Sequence, residues 1–307
     1  MPLLIETEPA GPIELGELVE MLAAGGFDPD HEASIAAFGP ALGRLGDNRR
    51  FLGDLVIEEL KRSCAGQVER NRYTAQVILL HAGPGFAIRA NFWPAADDSV
   101  VVNSGTDPFF YGVPHDHNFS FLTVGYVGPG YWSDYYEYEY GEVKGFIGEP
   151  VPLRFVERSR LAEGKVMLYR RFRDVHSQLP PDELSVSLNV LAQSDRSDFC
   201  DQYRFDLERR EVAGVVNTNP LEALVKLAVH LGGGNGRDLA ESFAASHPSE
   251  RIRFAAVEAQ ASVEPELDAR IDLYEKAAGA PGVVGAMAAG KARQLIEAAR
   301  RSRLHTR

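Results

Sequence analysis

The amino-acid sequence predicts an α+β protein: a small closed β-barrel or double-sheet jelly roll, with helices before and after it. Three observations carry this expectation. Residues 1–70 hold apolar stripes at helical spacing. Residues 71–216 change to short β-rich runs separated by Gly, Pro and Asp. Residues 217–307 return to helical texture. These ranges are the three expected segments.

The N-terminal stripes are Leu15, Leu18, Val19 and Leu22 within Ile13 to Ala24, and Phe51, Leu55, Ile57 and Leu60 within Leu45 to Cys64. Asp28-Pro29-Asp30 breaks the first and caps the next helical segment. In the central part, strands are expected over 73–81, 86–93, 119–127, 131–140, 143–147, 151–157, 165–172, 184–192 and 202–207. Runs so short and so regularly punctuated fit a closed or double-layered all-β unit. In the last part, Asn219 is a candidate cap and Pro220 suits a first helical position. Helices are expected over 221–231, 238–245, 249–262, 265–278 and 283–300. Gly232-Gly233-Gly234-Asn235-Gly236 reads as a connector, since it lacks the Lys-Ser/Thr of a phosphate loop. The stretch from His247 to Ala256 has the look of one HEAT-type helical unit, too little for an array. The Ala- and Gly-rich final helix suits close packing, within the chain or across a homodimer.

Composition narrows the function classes. The formal net charge is −12 over 307 residues, with 45% hydrophobic and 25% charged residues. A nucleic-acid partner needs a basic face, and the short runs Arg170 to Arg173 and Arg300 to Arg303 do not outweigh the acidic background. No stretch approaches the roughly 20 apolar residues that span a bilayer. The first residues carry Glu6 and Glu8 and no basic residue, unlike a secretory signal. Cys64 and Cys200 are too few for a disulfide framework. A cytoplasmic protein with neither a nucleic-acid nor a membrane partner is the expectation.

The chemistry concentrates in Gly112-Val113-Pro114-His115-Asp116-His117-Asn118-Phe119. Two histidines spaced i, i+2 on a strand project to one face, with Asp116 on the other. Both imidazoles can then reach one ion at about 2.0–2.1 Å. Phe119, Phe121 and Thr123 continue the histidine face, which makes it the inner one. His176 is the third candidate: counting by twos from Val166 through Leu168, Arg170, Phe172 and Asp174 places it on one face of an unbroken strand. Three imidazoles leave positions open for substrate and dioxygen.

Other polar residues fall near this frame. If the glutamate face of Tyr131 to Tyr140 is internal, Glu137 is a fourth ligand or a general base; otherwise the strand is amphipathic, with packed tyrosines. Glu137, Tyr136 and Arg170 are the candidates for catalytic work, and Arg89, Trp132 and Asn189 for substrate contact. Ser185, Ser187 and Asn189 alternate with Val186, Leu188 and Val190, so this polar set faces either the cavity or solvent.

On His115, His117 and the Gly164-to-His176 block, the chain resembles the cupin superfamily over roughly 73–207. It departs from that pattern in having Phe121 and Leu122 where the usual glutamate falls, and in a second motif about one residue longer that lacks Pro-x-Gly. Within cupins it looks most like the cysteine dioxygenase type, through the His-Asp-His block and Arg72-Tyr73-Thr74. That resemblance implies iron held by His115, His117 and His176. Ala75 stands where that type carries its carboxylate-binding arginine, and no cysteine flanks the histidine strand. The expected function is that of a non-haem Fe(II) oxygenase acting on a small organic or amino-acid-derived substrate with dioxygen. The same motifs admit zinc, nickel or manganese with an isomerase or hydrolase reaction, a 2-oxoglutarate-type hydroxylase using His117, Glu137 and His176, or a ligand-sensing scaffold.

Overall fold

The computed structural model describes residues 2–70, 76–195, 197–218 and 220–305. The Arg72-Tyr73-Thr74-Ala75 segment and the Asn219 cap lie outside the described residues. The chain divides into two compact units: residues 1–140, 150–198 and 202–213, and residues 141–149, 199–201 and 214–307.

The first unit is a mixture of helices and antiparallel sheet. Its strands are β1 (Leu3–Ile5), β2 (Val77–Gly83), β3 (Phe86–Trp93), β4 (Phe121–Val127), β5 (Trp132–Glu137), β6 (Arg154–Arg160), β7 (Val166–Tyr169), β8 (Asp174–Leu179), β9 (Ser185–Ala192), β10 (Tyr203–Asp206) and β11 (Glu211–Val215). A six-stranded sheet runs β1-β7-β4-β9-β3-β2, a three-stranded sheet runs β6-β5-β8, and β10 pairs with β11. Of the closed barrel or double-sheet jelly roll expected, the described residues show antiparallel sheets with open edges and no closed sheet.

Alternation along the large sheet explains its two faces. Ile88, Leu122, Val124, Leu168, Leu188 and Val190 pack under the N-terminal helices, against Leu18, Leu22, Ile35, Leu42 and Leu45. These helices are α1 (Leu15–Ala24), α2 (Glu32–Ala36), α3 (Gly39–Asp47), α4 (Phe51–Lys61) and α5 (Ala65–Arg70), and α6 is Ser99–Ser104. The expected helix over Leu45 to Cys64 is therefore two, broken at Asn48, whose side-chain oxygen accepts from the Arg50 and Phe51 amides. The opposite face of the large sheet carries Phe121, Met167, Tyr169 and Leu191, which pack with Tyr135 of the small sheet. That inter-sheet layer holds the site.

Two strand expectations are corrected. The 165–172 strand stops at Tyr169, because Phe172 takes a left-handed conformation with φ 60° that no strand continues. His176 thus sits on its own strand, β8. The 143–147 run forms no strand.

The second unit is helical: α7 (Leu221–Leu231), α8 (Gly233–Ser246), α9 (Glu250–Val263), α10 (Leu267–Ala278) and α11 (Gly282–His305). The Gly232-to-Gly236 run, expected as a connector, is already the first turn of α8 after Gly232. Ser249 caps α9 by accepting from the Ile252 amide. No helix among the described residues is long and apolar enough to cross a membrane.

Candidate metal centre

His115 and His117 lie on an extended stretch held between two strands. His115 and His176 exchange both backbone hydrogen bonds at 3.0 Å, the Asp116 amide donates to the Tyr203 carbonyl, and the Phe172 amide donates to the His117 carbonyl. Pinned on both edges, the stretch alternates strictly. Asp116 turns away from the histidines, where it accepts from the Tyr138 hydroxyl at 2.5 Å and the Tyr203 amide at 2.6 Å. His115 and His117 turn inward to meet His176.

The three rings converge through Nε2. His117 Nε2 lies 3.0 Å from His176 Nε2, which lies 3.2 Å from His115 Nε2. One donor atom from each ring falls within 4.8 Å of the others, and no other His, Cys, Asp or Glu among the described residues joins such a group. Two nitrogens each about 2.1 Å from one ion stand about 3.0 Å apart at a right angle and about 3.4 Å apart at a tetrahedral angle. Both observed spacings fall in the range of two nitrogens sharing one ion.

Protonation agrees. Burial pushes His115 down to about 4, against the Val113 carbonyl that favours its charged form and together with the nearby Arg89 charge. Burial, with the neighbouring ring charges and Arg89, holds His117 and His176 well below the usual imidazole range. All three are neutral at pH 7, the form that ligates. His115 Nδ1–H donates to the Val113 carbonyl at 2.8 Å, which leaves its Nε2 lone pair directed to the centre. The Gln202 and Gln178 carboxamides lie 3.0 Å from Nδ1 of His117 and His176. The residues present therefore fit a divalent cation, and the second layer orients them.

Aromatic rings close the surroundings. Phe119 and Phe121 stand 5.0 and 4.9 Å from the His117 ring, and Tyr169 stands 4.9 Å from His176. The Tyr169 hydroxyl bonds that of Tyr135 at 2.8 Å. Burial drives Tyr169 well above the ordinary tyrosine range, so these hydroxyls stay protonated.

The remaining sequence candidates separate into two groups. Arg89, on β3, lies opposite Asn189 of β9, and Asn189 lies opposite Thr123 of β4. This inward row flanks the histidines, whose protonation Arg89 opposes. The polar set of β9 thus faces the interior: Ser187 accepts from Trp93 Nε1 at 3.0 Å. The second group is elsewhere. Glu137 gives one oxygen to Arg170 at 2.9 Å and the other to Arg154 at 2.5 Å, and Arg170 also grips Asp174 at 2.6 Å. Glu137 and Arg170 form an ion-pair cluster outside the group of convergent nitrogens. Tyr136 lies on the other face of β5 from buried Tyr135 and packs on exposed Phe155. Trp132 is 39% exposed beneath the Arg160 guanidinium.

Sequence reasoning missed Tyr169, Gln178, Gln202 and Asn91. Alternation from His176 marks Gln178 as sharing its face; nothing local marks Gln202, which arrives from 85 residues away.

No family model matches this chain, and no curated protein matches it. Solved structures with partial likeness include hydroquinone 1,2-dioxygenase PnpCD in complex with Cd2+ and 4-hydroxybenzonitrile, at 9% identity over 42% of this chain and 71% of that one, TM-score 0.25. DMSP lyase DddQ from Ruegeria pomeroyi aligns at 11% identity over 63% and 79%, TM-score 0.25. Vicilin from Corylus avellana aligns at 11% identity over 45% and 34%, TM-score 0.22.

Proposed function

We propose that this chain is a metal-dependent enzyme of cupin type, a non-haem Fe(II) oxygenase acting on a small organic or amino-acid-derived substrate. The observation that carries the reading is the convergence of three buried, neutral Nε2 atoms at 3.0 and 3.2 Å. Three uncharged imidazoles with their Nε2 atoms turned to one point are the form and arrangement in which histidine ligates an ion. A bound ion supplies a Lewis-acidic centre with open positions where dioxygen and an organic substrate can meet. The chain's own residues do the rest. Val113, Gln178 and Gln202 hold the ring orientations, Phe119, Phe121 and Tyr169 keep the surroundings dry, and the polar row of β3, β9 and β4 faces the substrate.

A neutral three-histidine set favours this over the 2-oxoglutarate alternative, which requires a carboxylate ligand. Glu137, the one offered for that role, has its oxygens on Arg154 and Arg170. The test is elemental analysis of protein purified without added metal, beside His117→Ala and His176→Ala, with oxygen uptake followed on the same samples. One iron per chain is expected, falling at least about tenfold in both variants. Stoichiometric zinc, nickel or manganese without oxygen uptake would replace the oxygenase reading by a non-redox reaction, and absence of any ion would end both.

A further inference from the structure

The inner row beside the histidines contains polar atoms that no protein group satisfies. Asn91 Oδ1, Thr123 Oγ1 and Asn189 Oδ1 are each buried and have no hydrogen-bond partner. Their residues are 6%, 0% and 2% exposed. They are not scattered. Asn189 is the Cα partner of both Arg89 and Thr123, while Asn91 lies one inward step along β3, opposite Ser187. Phe121, two residues before Thr123 on the same face, touches the His117 ring. Buried polar groups in folded proteins are almost always paired, and a cluster of exceptions marks a place where another molecule completes the pairing.

We propose that this wall recognises the substrate, and that the substrate is a small hydroxylated carboxylate. The two carboxamide oxygens are acceptors and the Thr123 hydroxyl both donates and accepts, so a ligand hydroxyl can pair with all three. Arg89 is a permanent cation in the same inward row, the register partner of Asn189. Its field disfavours an ammonium group and favours an anion. Neutral hydroxyls therefore meet Asn91, Thr123 and Asn189, and a carboxylate meets the Arg89 guanidinium. The inference rests on the proposed metal centre only in placing the ligand's reacting part toward the histidines.

Glycolate, acetate and glycolamide separate the two contributions, since each of the last two lacks one group. Titration calorimetry of the zinc-loaded chain should show glycolate binding at least about tenfold tighter than either. Thr123→Val should erase the glycolate-over-acetate gap, and Arg89→Met the glycolate-over-glycolamide gap. Thr123→Val should also raise the melting temperature, because it removes a buried hydroxyl that the free protein leaves unpaired. Equal binding of the three probes, a glycolate-over-acetate gap that survives Thr123→Val, or a lowered melting temperature in that variant would overturn the inference. Zinc titration of the same samples keeps the two readings apart: a chain that binds zinc but does not prefer glycolate loses the substrate class and retains the metal centre.

Discussion

At the scale of single residues, three neutral imidazoles in one dry layer set how the metal-free chain responds to acid. His115 titrates near 4 in the folded chain and near 6.5 when unfolded, and His117 and His176 are displaced the same way. Below pH 6.5 the unfolded chain takes up protons that the folded chain refuses, so stability is complete above that pH and drains away as pH falls toward 4. Between pH 7 and 5.5 the loss is about 1 kcal/mol for each histidine, or about 3 kcal/mol together. Urea denaturation of EDTA-treated protein at the two pH values measures it, with His115→Asn expected to flatten the slope by about a third. A slope unchanged by that substitution would mean the rings are not buried as described. Asp116 acts from the far side of the same stretch. Tyr138→Phe removes the hydroxyl that donates to its carboxylate and leaves a buried charge short of one partner. The expected cost is about 1–3 kcal/mol, read as a lower urea midpoint.

At the scale of elements, what the sequence reveals depends on whether a pattern is local. The His-x-His pair is legible because a period of two needs only three residues, and the inward face is marked by Phe121 and Thr123. The third histidine joins the other two from a setting the pattern did not give: Phe172 turns left-handed, a conformation that side-chain periodicity does not encode, so β7 and β8 read as one strand. Alternation along 131–140 holds only to Glu137, where the strand ends, so Tyr138 and Tyr140 leave the face assigned to Tyr136, and it does not say which face is inner. The answer comes from pairing, since Tyr135 lies opposite His176. Glu137 is a plausible ligand until its register partner Asp174 and the Arg170 guanidinium are placed beside it. Close approach of elements is a further constraint that no pattern shows. Gly125 interrupts β4 where a methyl group would collide with the Ala162 carbonyl oxygen, so the 161–164 turn packs directly on this backbone. Gly125→Ala must push the two apart, at a cost of about 1–3 kcal/mol in urea denaturation. Retention of the wild-type midpoint would show that the turn yields freely.

At the scale of the whole molecule, two units use the same apolar alphabet with different periods. In the sheet unit, burial repeats every second residue and leaves an inner face free to carry polar chemistry. In the helical unit no such face remains on α9, because both of its sides are spent on packing. Ile252, Ala256 and Ala259 meet Val225, Val229 and Ala240 of α7 and α8, whereas Phe254, Val257 and Ala261 meet Tyr274, Ala288 and Ala292 of α10 and α11. Alanine at 256, 259, 288 and 292 is what lets α9 sit at the centre, since small side chains bring helix backbones close. Ala288 and Ala292 of the Ala- and Gly-rich last helix pack within the chain. Ala256 is completely buried, so Ala256→Leu inserts three carbons where there is no room and should cost about 1–3 kcal/mol. Ala289, half-buried on α11, is not part of that packed core, and Ala289→Leu should cost well under half as much. Thermal melts followed by helical circular dichroism compare the pair. Equal losses would mean that α9 does not organise the bundle and that the helices pack in some other order.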